Sequence, residues 1–445
     1  MNDDWSFPLL DDAGRALLQS LRENSHAPRY THPGCDRVTA QGLERVRAFE
    51  TELKTSPRGW QHRELAPWLA DFVAMCFADV PFYRRYGSPS ADFFSIPTCS
   101  RADIAREPWS FVPDSVPLDD IALYQTSGTT GHPLNVITHP EPLAMYIPLM
   151  RAALATHGVT LDDSNGKVAV VLVCFQKSTW TYISISPFLD NAGFVKVNLN
   201  PDDWRDADDR ARFLDDCNPQ IYTGDPISFA ELAKLPLQTR PRALVSTSMA
   251  MLPGLQRQLE TRFNCPVINI YSMNETGPIA VAQADGFELL HHRLYVEILD
   301  PNGVPCEPGT RGEIIVSGGF NPFLPLLRYR TGDYAGLQFR GQIPVLVGLE
   351  GRQPVVFRGE RGRRINNIDI STVLKPFALT QYSLHQFADG SLRLRVRGAI
   401  GNAVQLRDAI LALFGAGQRL DIECVDSLGD KVIQYTSEIP NGEES

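Results

Sequence analysis

The chain has 445 residues, of which 43% are hydrophobic and 21% charged, with a formal net charge of −10. That length supports two or three domains around a large core, and the acidic balance argues against a nonspecific binder of nucleic acid or anionic membrane. The eight cysteines (35, 76, 99, 174, 217, 265, 306 and 424) read as reduced thiols; the acidic start MNDDWSFPLLDD is no signal peptide and no apolar run approaches the roughly 18 residues of a spanning helix, so the cytoplasm is the expected address.

Residues 1 to 115 read as helical and loop-rich. Gln41 to Lys54 carries Leu43, Val46, Phe49 and Leu53 at helical spacing, and Ala66 to Ala78 repeats the pattern. DVPFYRRYG (79–87) closes it, with Tyr83, Arg84 and Arg85 read as a packed aromatic with surface arginines in preference to a ligand platform. The short apolar run Ile121 to Tyr124 then breaks into Thr126-Ser127-Gly128-Thr129-Thr130-Gly131, and Leu134 to Ile137 reads as a returning strand. Small residues let the backbone approach a ligand, successive N–H groups form an anion-holding concavity, and four hydroxyls add donors suited to phosphate. An ordinary hairpin tip is the plainer alternative. It is not a Walker loop, because no Gly-Lys-Ser/Thr follows and no helix opens there.

From 165 to 280 Val/Ile-rich runs alternate with helical stretches: strands at 167–174, 193–199, 219–224, 242–248 and 265–272, helices at 203–217, 228–235 and 252–263. That alternation predicts a mostly parallel sheet covered by helices on both faces, with ligands at the carboxyl ends of its strands. At one such exit stands YSMNETGP (271–278), where Glu275 has two open readings, a carboxylate placed to hold Mg²⁺ or a solvated loop glutamate. In CFQKSTWTYIS (174–184), Phe175, Trp180 and Tyr182 have two open readings, a stacking platform for an aromatic acid or plain core. LYVEILDPNGVPCEPGTRGEIIVSG (294–318) reads as a β meander, and the adjacent His291 and His292 before it as solvent or core residues. LLRYRTGDYAGL (326–337) brings Tyr329 and Asp333. The last eighty or so residues read β, β, α, β, with strands at 390–398 and 419–426 and a helix from Asn402 to Phe414, before SLGDKVIQY (427–435).

Taken in order, these strings resemble the motifs of the adenylate-forming superfamily (acyl-CoA synthetases, luciferases, peptide-synthetase adenylation domains). PFYRR and the segment from Ser95 to Ile104 resemble its phenylacetate–CoA ligase-like subgroup. The resemblance implies that the TSGTTG loop, Thr130 included, cradles the β- and γ-phosphates of ATP. YSMNETG is similar to the family's Y-G-x-T-E, with Ser272 for the Gly and Asn274 for the Thr. It implies that Tyr271, Ser272, Met273, Asn274, Glu275 and Thr276 border the nucleotide, Glu275 carrying Mg²⁺. YRTGD matches closely; its aspartate, Asp333, is implied to take both ribose hydroxyls, which a fixed carboxylate can accept at once, and Tyr329 lines the same site. Gly351-Arg352 resembles a G-R-x-D junction whose arginine holds the ribose, followed here by Gln353-Pro354 in place of an acidic hinge. Proline there would restrict rotation, which leaves the basic RGERGRR (358–364) as the other candidate pivot. Lys431 stands where the family carries a C-terminal lysine that bridges the attacking carboxylate and the phosphoryl oxygens. Ser246-Thr247-Ser248 replaces the usual Ser-Gly-Glu beside the acid pocket. Some relatives carry a Cys/His metal site before the meander; this chain has no cysteine there, and no structural zinc is expected.

The implied architecture is α/β. A large N-terminal domain (1–350) comprises a helical lead-in (1–115), a core of mostly parallel, helix-covered sheet (116–285) and a β-rich subdomain (286–350). A small mobile α+β C-terminal domain (351–445) follows. The implied activity is an ATP- and Mg²⁺-dependent ligase that adenylates a small-molecule carboxylic acid and passes the acyl group to a thiol, CoA by default. The alternatives are an acid–amine ligase or carrier-protein loader of a biosynthetic pathway, and a catalytically silent nucleotide-binding relative. Homo-oligomerisation is left open; no nucleic-acid or membrane partner is expected.

Overall fold

The computed structural model describes residues 3–62, 64–90, 92–119, 121–126, 134–351, 355–429 and 432–439. Strand β1 (Cys99–Ser100) lies beside a strand far downstream, and β2 (Ala122–Thr126) and β3 (Leu134–Thr138) form an antiparallel ribbon. The Val/Ile runs become β4 (Val168–Cys174), β6 (Ala192–Asn198), β7 (Ile221–Gly224), β8 (Ala243–Ser246) and β9 (Val267–Met273), all parallel, in the order β9-β8-β7-β4-β6. Between β4 and β6 in the chain, β5 (Tyr182–Ser186) adds an antiparallel edge strand, although Ile183 and Ile185 were its only apolar signal. Residues 31–35 cover that edge: Thr31 and His32 donate backbone N–H groups to the Thr181 carbonyl, and the Ser184 hydroxyl donates to the Cys35 carbonyl.

Alternation along the parallel strands sends their apolar side chains to two faces. Val171, Val173, Val195 and Val197 pack on helices Asp12–Glu23, Asp209–Cys217, Pro226–Leu232 and Pro253–Phe263; Val170, Val245 and Ile268 pack on helices Ala40–Thr55 and Tyr146–Ala155. Each such side chain contributes about 1.5–3 kcal/mol by burial. The two N-terminal helices begin at Asp11 and Thr39, whose side chains accept from the Gly14 and Gly42 N–H groups. The expected helix at 41–54 is therefore present, and that at 66–78 is Leu69–Asp79.

Beyond β9 the direction reverses. β10 (Gly277–Gln283), β11 (Gly286–Leu289), β12 (Leu294–Leu299), β13 (Arg311–Gly318), β14 (Leu326–Arg340) and β15 (Ile343–Gly351) continue the same hydrogen-bonded sheet in the order β10-β11-β15-β14-β13-β12. β1 runs parallel to β14, with Cys99 opposite Tyr329 and Ser100 opposite Arg330. The Thr331-Gly332-Asp333 segment, despite its turn-forming composition, is the middle of the 15-residue strand β14.

A separate four-stranded sheet follows: β16 (Phe357–Arg358) and β17 (Arg364–Ile365) make a hairpin, then β18 (Tyr382–Gln386), β19 (Leu392–Arg397), β20 (Leu420–Val425) and β21 (Tyr435–Ser437) pair in the order β20-β19-β18-β21. Helices Asn367–Leu374 and Ala403–Phe414 complete its own core around Phe357, Leu384, Leu406 and Phe414. The fold is thus α/β, with a large sheet unit and a small α+β unit at the C-terminal end. The units touch where the Gly254 N–H donates 2.9 Å to the Lys375 carbonyl. A Cβ on Gly254 would sit 2.2 Å from the Phe377 carbonyl oxygen, so the close approach needs a glycine there. The eight cysteines form no disulfide, and among the described residues no helix is long and apolar enough to cross a membrane.

Candidate active site

Met273 and Gly277 are cross-strand partners, which leaves Asn274-Glu275-Thr276 as a three-residue hairpin loop. Gly277 takes φ +73°, the left-handed conformation such loops require. A Cβ there would also lie 2.5 Å from the Phe320 ring, so the position is doubly restricted. The loop turns Glu275 inward, to 4% exposure, while Asn274 stays exposed.

A buried carboxylate needs donors. The Tyr329 hydroxyl on β14 donates to Glu275 Oε1 at 2.6 Å, and Arg101 Nη1, immediately after β1, approaches the same oxygen at 3.4 Å. Reciprocally, the Tyr271 hydroxyl on β9 donates to Asp333 Oδ2 on β14 at 2.9 Å. Three strands separate β9 from β14 in the sheet, so the antiparallel part arcs round until β14 meets β9 and the loop after it through these two tyrosine–carboxylate bonds. Both hydroxyls are held well above the ordinary tyrosine range, by burial first and then by the neighbouring carboxylates, which fixes them as neutral donors. Asp333 is only half-buried and its backbone N–H donates to Thr331 Oγ1 at 3.1 Å. Across the ladder it faces Gly351, whose missing side chain leaves room beside the Asp333 carboxylate.

Behind these groups Arg328 has φ +50° and forms an ion pair with Glu297 at 2.9 Å, the two side chains 3% and 2% exposed. The same guanidinium donates to the carbonyls of Phe94 and Ile96. It thereby ties the segment leading into β1 and Arg101 to the strand that carries Tyr329.

Tyr271, Glu275, Tyr329 and Asp333 are therefore brought together, with Thr276 buried and Ser272 and Met273 half-buried beside them. Thr126 ends β2, opposite Leu134. Ser127, Gly128, Thr129, Thr130, Gly131, Arg352 and Lys431 lie outside the described residues. The aromatic trio is held by other neighbours. Trp180 is 61% exposed and stacks on His32 at 5.4 Å, Tyr182 sits on the edge strand β5 near Lys196, and the Arg397 guanidinium of β19 lies 5.2 Å above Phe175. Ser246 ends β8 fully buried, its hydroxyl without a partner among the described residues, whereas Ser248 is exposed at φ +70°. His291 is buried against Phe49 and Phe320, a core residue.

The segment 358–364 is a closed hairpin: the Gln386 side-chain amide bonds both the N–H and the carbonyl of Arg358, at 2.8 and 2.7 Å. Arg101, Arg328 and Glu297 escaped the sequence reading. The Ser100–Asp103 capping box marked a helix start at Arg101, but its reach to Glu275, 174 residues away, is a tertiary fact.

The donor set suits a cation that arrives with phosphates. One deeply placed carboxylate, with other oxygens close by, matches the one or two carboxylates by which Mg²⁺ is held alongside nucleotide phosphates. Among the described residues no cluster of three His, Cys, Asp or Glu side chains would hold a metal unaided.

The chain is similar to several known proteins. Residues 89–321 match the family model described as AMP-binding enzyme. The phenylacetate–coenzyme A ligase of Thermus thermophilus is 23% identical over 321 residues, covering 65% of this chain and 69% of that enzyme. The phenylacetate–coenzyme A ligase of Escherichia coli K12 is 21% identical over 286 residues, covering 59% of this chain and 63% of that enzyme, so just under two thirds of its length is spanned. In fold, a 2-hydroxyisobutyryl-CoA ligase crystallised in the postadenylation state with 2-HIB-AMP superposes with a TM-score of 0.59 at 18% identity, covering 92% of this chain and 91% of that one.

Proposed function

The chain belongs to the AMP-binding enzyme family, with similarity to its phenylacetate–CoA ligases, and on that premise we propose that it is a two-step, ATP-dependent carboxylic acid ligase. In the first step a bound carboxylate attacks the α-phosphate of ATP, forming an acyl-adenylate and releasing pyrophosphate. In the second a thiol, CoA by default, takes the acyl group and AMP leaves. The observation that carries this reading is the pair of tyrosine–carboxylate bonds that join β9 and the loop after it to β14, Tyr271 to Asp333 and Tyr329 to Glu275.

Each residue has a distinct task. Asp333 offers a half-buried carboxylate oriented by Tyr271, suited to two ribose hydroxyls at once. Glu275, oriented by Tyr329, would hold Mg²⁺, which when bound neutralises phosphate charge. The 126–131 loop is assigned to the β- and γ-phosphates, Arg352 to the ribose, and Lys431 to the attacking carboxylate and the phosphoryl oxygens. Positioning and charge neutralisation do most of the work in such a displacement. We assign 1–350 to the large adenylating domain and 351–445 to the small one. The acid pocket is assigned to Phe175, Trp180, Tyr182, Ser246 and Ser248, with an aromatic acid as the first substrate class to test.

Pyrophosphate exchange screened across aryl, fatty and amino acids tests the reading. At least one acid should support cation-dependent exchange, and Lys431→Ala should lose on the order of 10²–10³ of it while ATP still binds. No exchange with any acid would favour a silent nucleotide-binding relative. Adenylate formation followed by transfer to an amine or a carrier protein, but not to CoA, would correct the acceptor.

A further inference from the structure

Three chain segments converge on one oxygen of Glu275: the hairpin loop that carries it, β14 through Tyr329, and the residue that leaves β1, Arg101. The carboxylate side chain is 2% exposed, whereas that of Arg101 is 32% exposed. The tyrosine supplies a neutral hydrogen bond at 2.6 Å, and the guanidinium at 3.4 Å supplies positive charge beside a buried negative one. A carboxylate taken this far out of water is costly unless a counter-charge is near. The distance of 3.4 Å is long for a charge-assisted bond, so the pair is loose enough to be exchanged.

We propose that Arg101 is a positioning residue that serves as resident counter-ion of Glu275 before nucleotide binds, and that a divalent cation must displace it. The inference rests on the proposed nucleotide-linked cation site at Glu275. Its physical content is competition: one buried oxygen cannot hold a guanidinium and a dipositive ion together at full strength. The guanidinium therefore keeps the carboxylate neutralised and aimed before nucleotide binds, and sets the cation concentration needed to replace it. The Arg328 guanidinium, through the Phe94 and Ile96 carbonyls, holds the segment that delivers Arg101, so the counter-ion's approach is built into the fold.

The test is Mn²⁺ binding to the full chain in the presence of ATP, followed by electron paramagnetic resonance, with a melting curve for each variant. Arg101→Met removes the charge but keeps an apolar stem; Arg101→Lys keeps a charge. Arg101→Met should lower the half-saturating Mn²⁺ by roughly 2- to 5-fold, the scale of a partly exposed ion pair, while Arg101→Lys stays near wild type. In a Glu275→Gln background the change at 101 should have no further effect. An unchanged midpoint in a folded Arg101→Met protein overturns the inference while leaving the proposed function intact, as does a higher one, which would make Arg101 an aid to cation binding. Wild-type protein that binds Mn²⁺ no better with ATP than without it overturns both. If Arg101→Met does not fold, the midpoint of Arg101→Gln decides by the same criteria.

Discussion

The Tyr329 hydroxyl lies 2.6 Å from Glu275 Oε1, and both groups are buried. This single bond joins the strand read as a ribose motif to the loop read as a cation motif, and it makes Tyr329 an orienting residue for Glu275. Tyr329→Phe keeps the ring and removes the donor. The buried carboxylate then has one donor fewer, at a cost of about 1–3 kcal/mol in folding stability. Groups that orient a ligand carboxylate are worth roughly 10- to 100-fold in cation affinity or activity. Urea unfolding and cation-dependent pyrophosphate exchange should show both losses; a variant with wild-type stability and cation dependence would mean that the bond orients nothing.

Asp333 and Tyr271 divide differently. The carboxylate is the group assigned to the ribose hydroxyls, and the tyrosine only holds it from the far side at 2.9 Å. Asp333→Ala should raise the KM for ATP and abolish discrimination between ATP and 2′-deoxy-ATP. Tyr271→Phe leaves the carboxylate in place, so discrimination should persist with a smaller rise in KM. Steady-state kinetics with both nucleotides separates the two effects. Equal damage from the two variants would place Tyr271 itself against the nucleotide.

The Arg328–Glu297 pair is a matter of folding rather than chemistry. Burial pushes the Glu297 carboxyl up from its ordinary range, and the adjacent guanidinium works against that rise. Arg328→Met strands Glu297 beneath the sheet and should cost about 3–5 kcal/mol. Glu297→Met added to it should recover part of that loss. Recovery stays incomplete because the Phe94 and Ile96 carbonyls lose their donor. Urea midpoints of the single and double variants measure the difference; a double variant less stable than Arg328→Met would sink the expectation.

Much of this was legible in the sequence because it depends on local pattern. The Val/Ile runs specified the parallel strands, since alternating burial on two helix-covered faces leaves little choice of register. Glu275 and Asp333 stood out because short strings of special composition carried them. The length of β14 was not legible: Thr331-Gly332-Asp333 has turn chemistry, and only pairing with β13 and β15 makes it strand. Nor could periodicity reveal that the antiparallel part arcs back to bring Tyr271 to Asp333, or that Arg101 meets Glu275 across 174 positions. Those contacts depend on sheet curvature and strand order. Of the two readings open for Trp180, the core one is excluded by its 61% exposure on His32, which only the folded chain reveals.

His291 carries a pH dependence that the adjacent pair of histidines only hinted at. Its ring is enclosed by Phe49 and Phe320, and its Nε2 has no partner among the described residues. Burial, aided by the nearby His292 and Arg293, lowers its pKa to about 3. An unfolded histidine titrates near 6.5. Between those values the unfolded chain takes up a proton that the folded chain refuses, so stability is full above about pH 6.5 and falls as the pH drops toward 3. The loss attributable to this one group is about 2 kcal/mol by pH 5. His291→Leu keeps an apolar side chain in the enclosure and cannot take up that proton. Urea unfolding at pH 7.5 and pH 5 should therefore show a smaller acid loss in His291→Leu than in wild type, with His292 present in both. Equal acid losses in the two proteins would mean that the His291 ring is reached by water or protonated in the folded state.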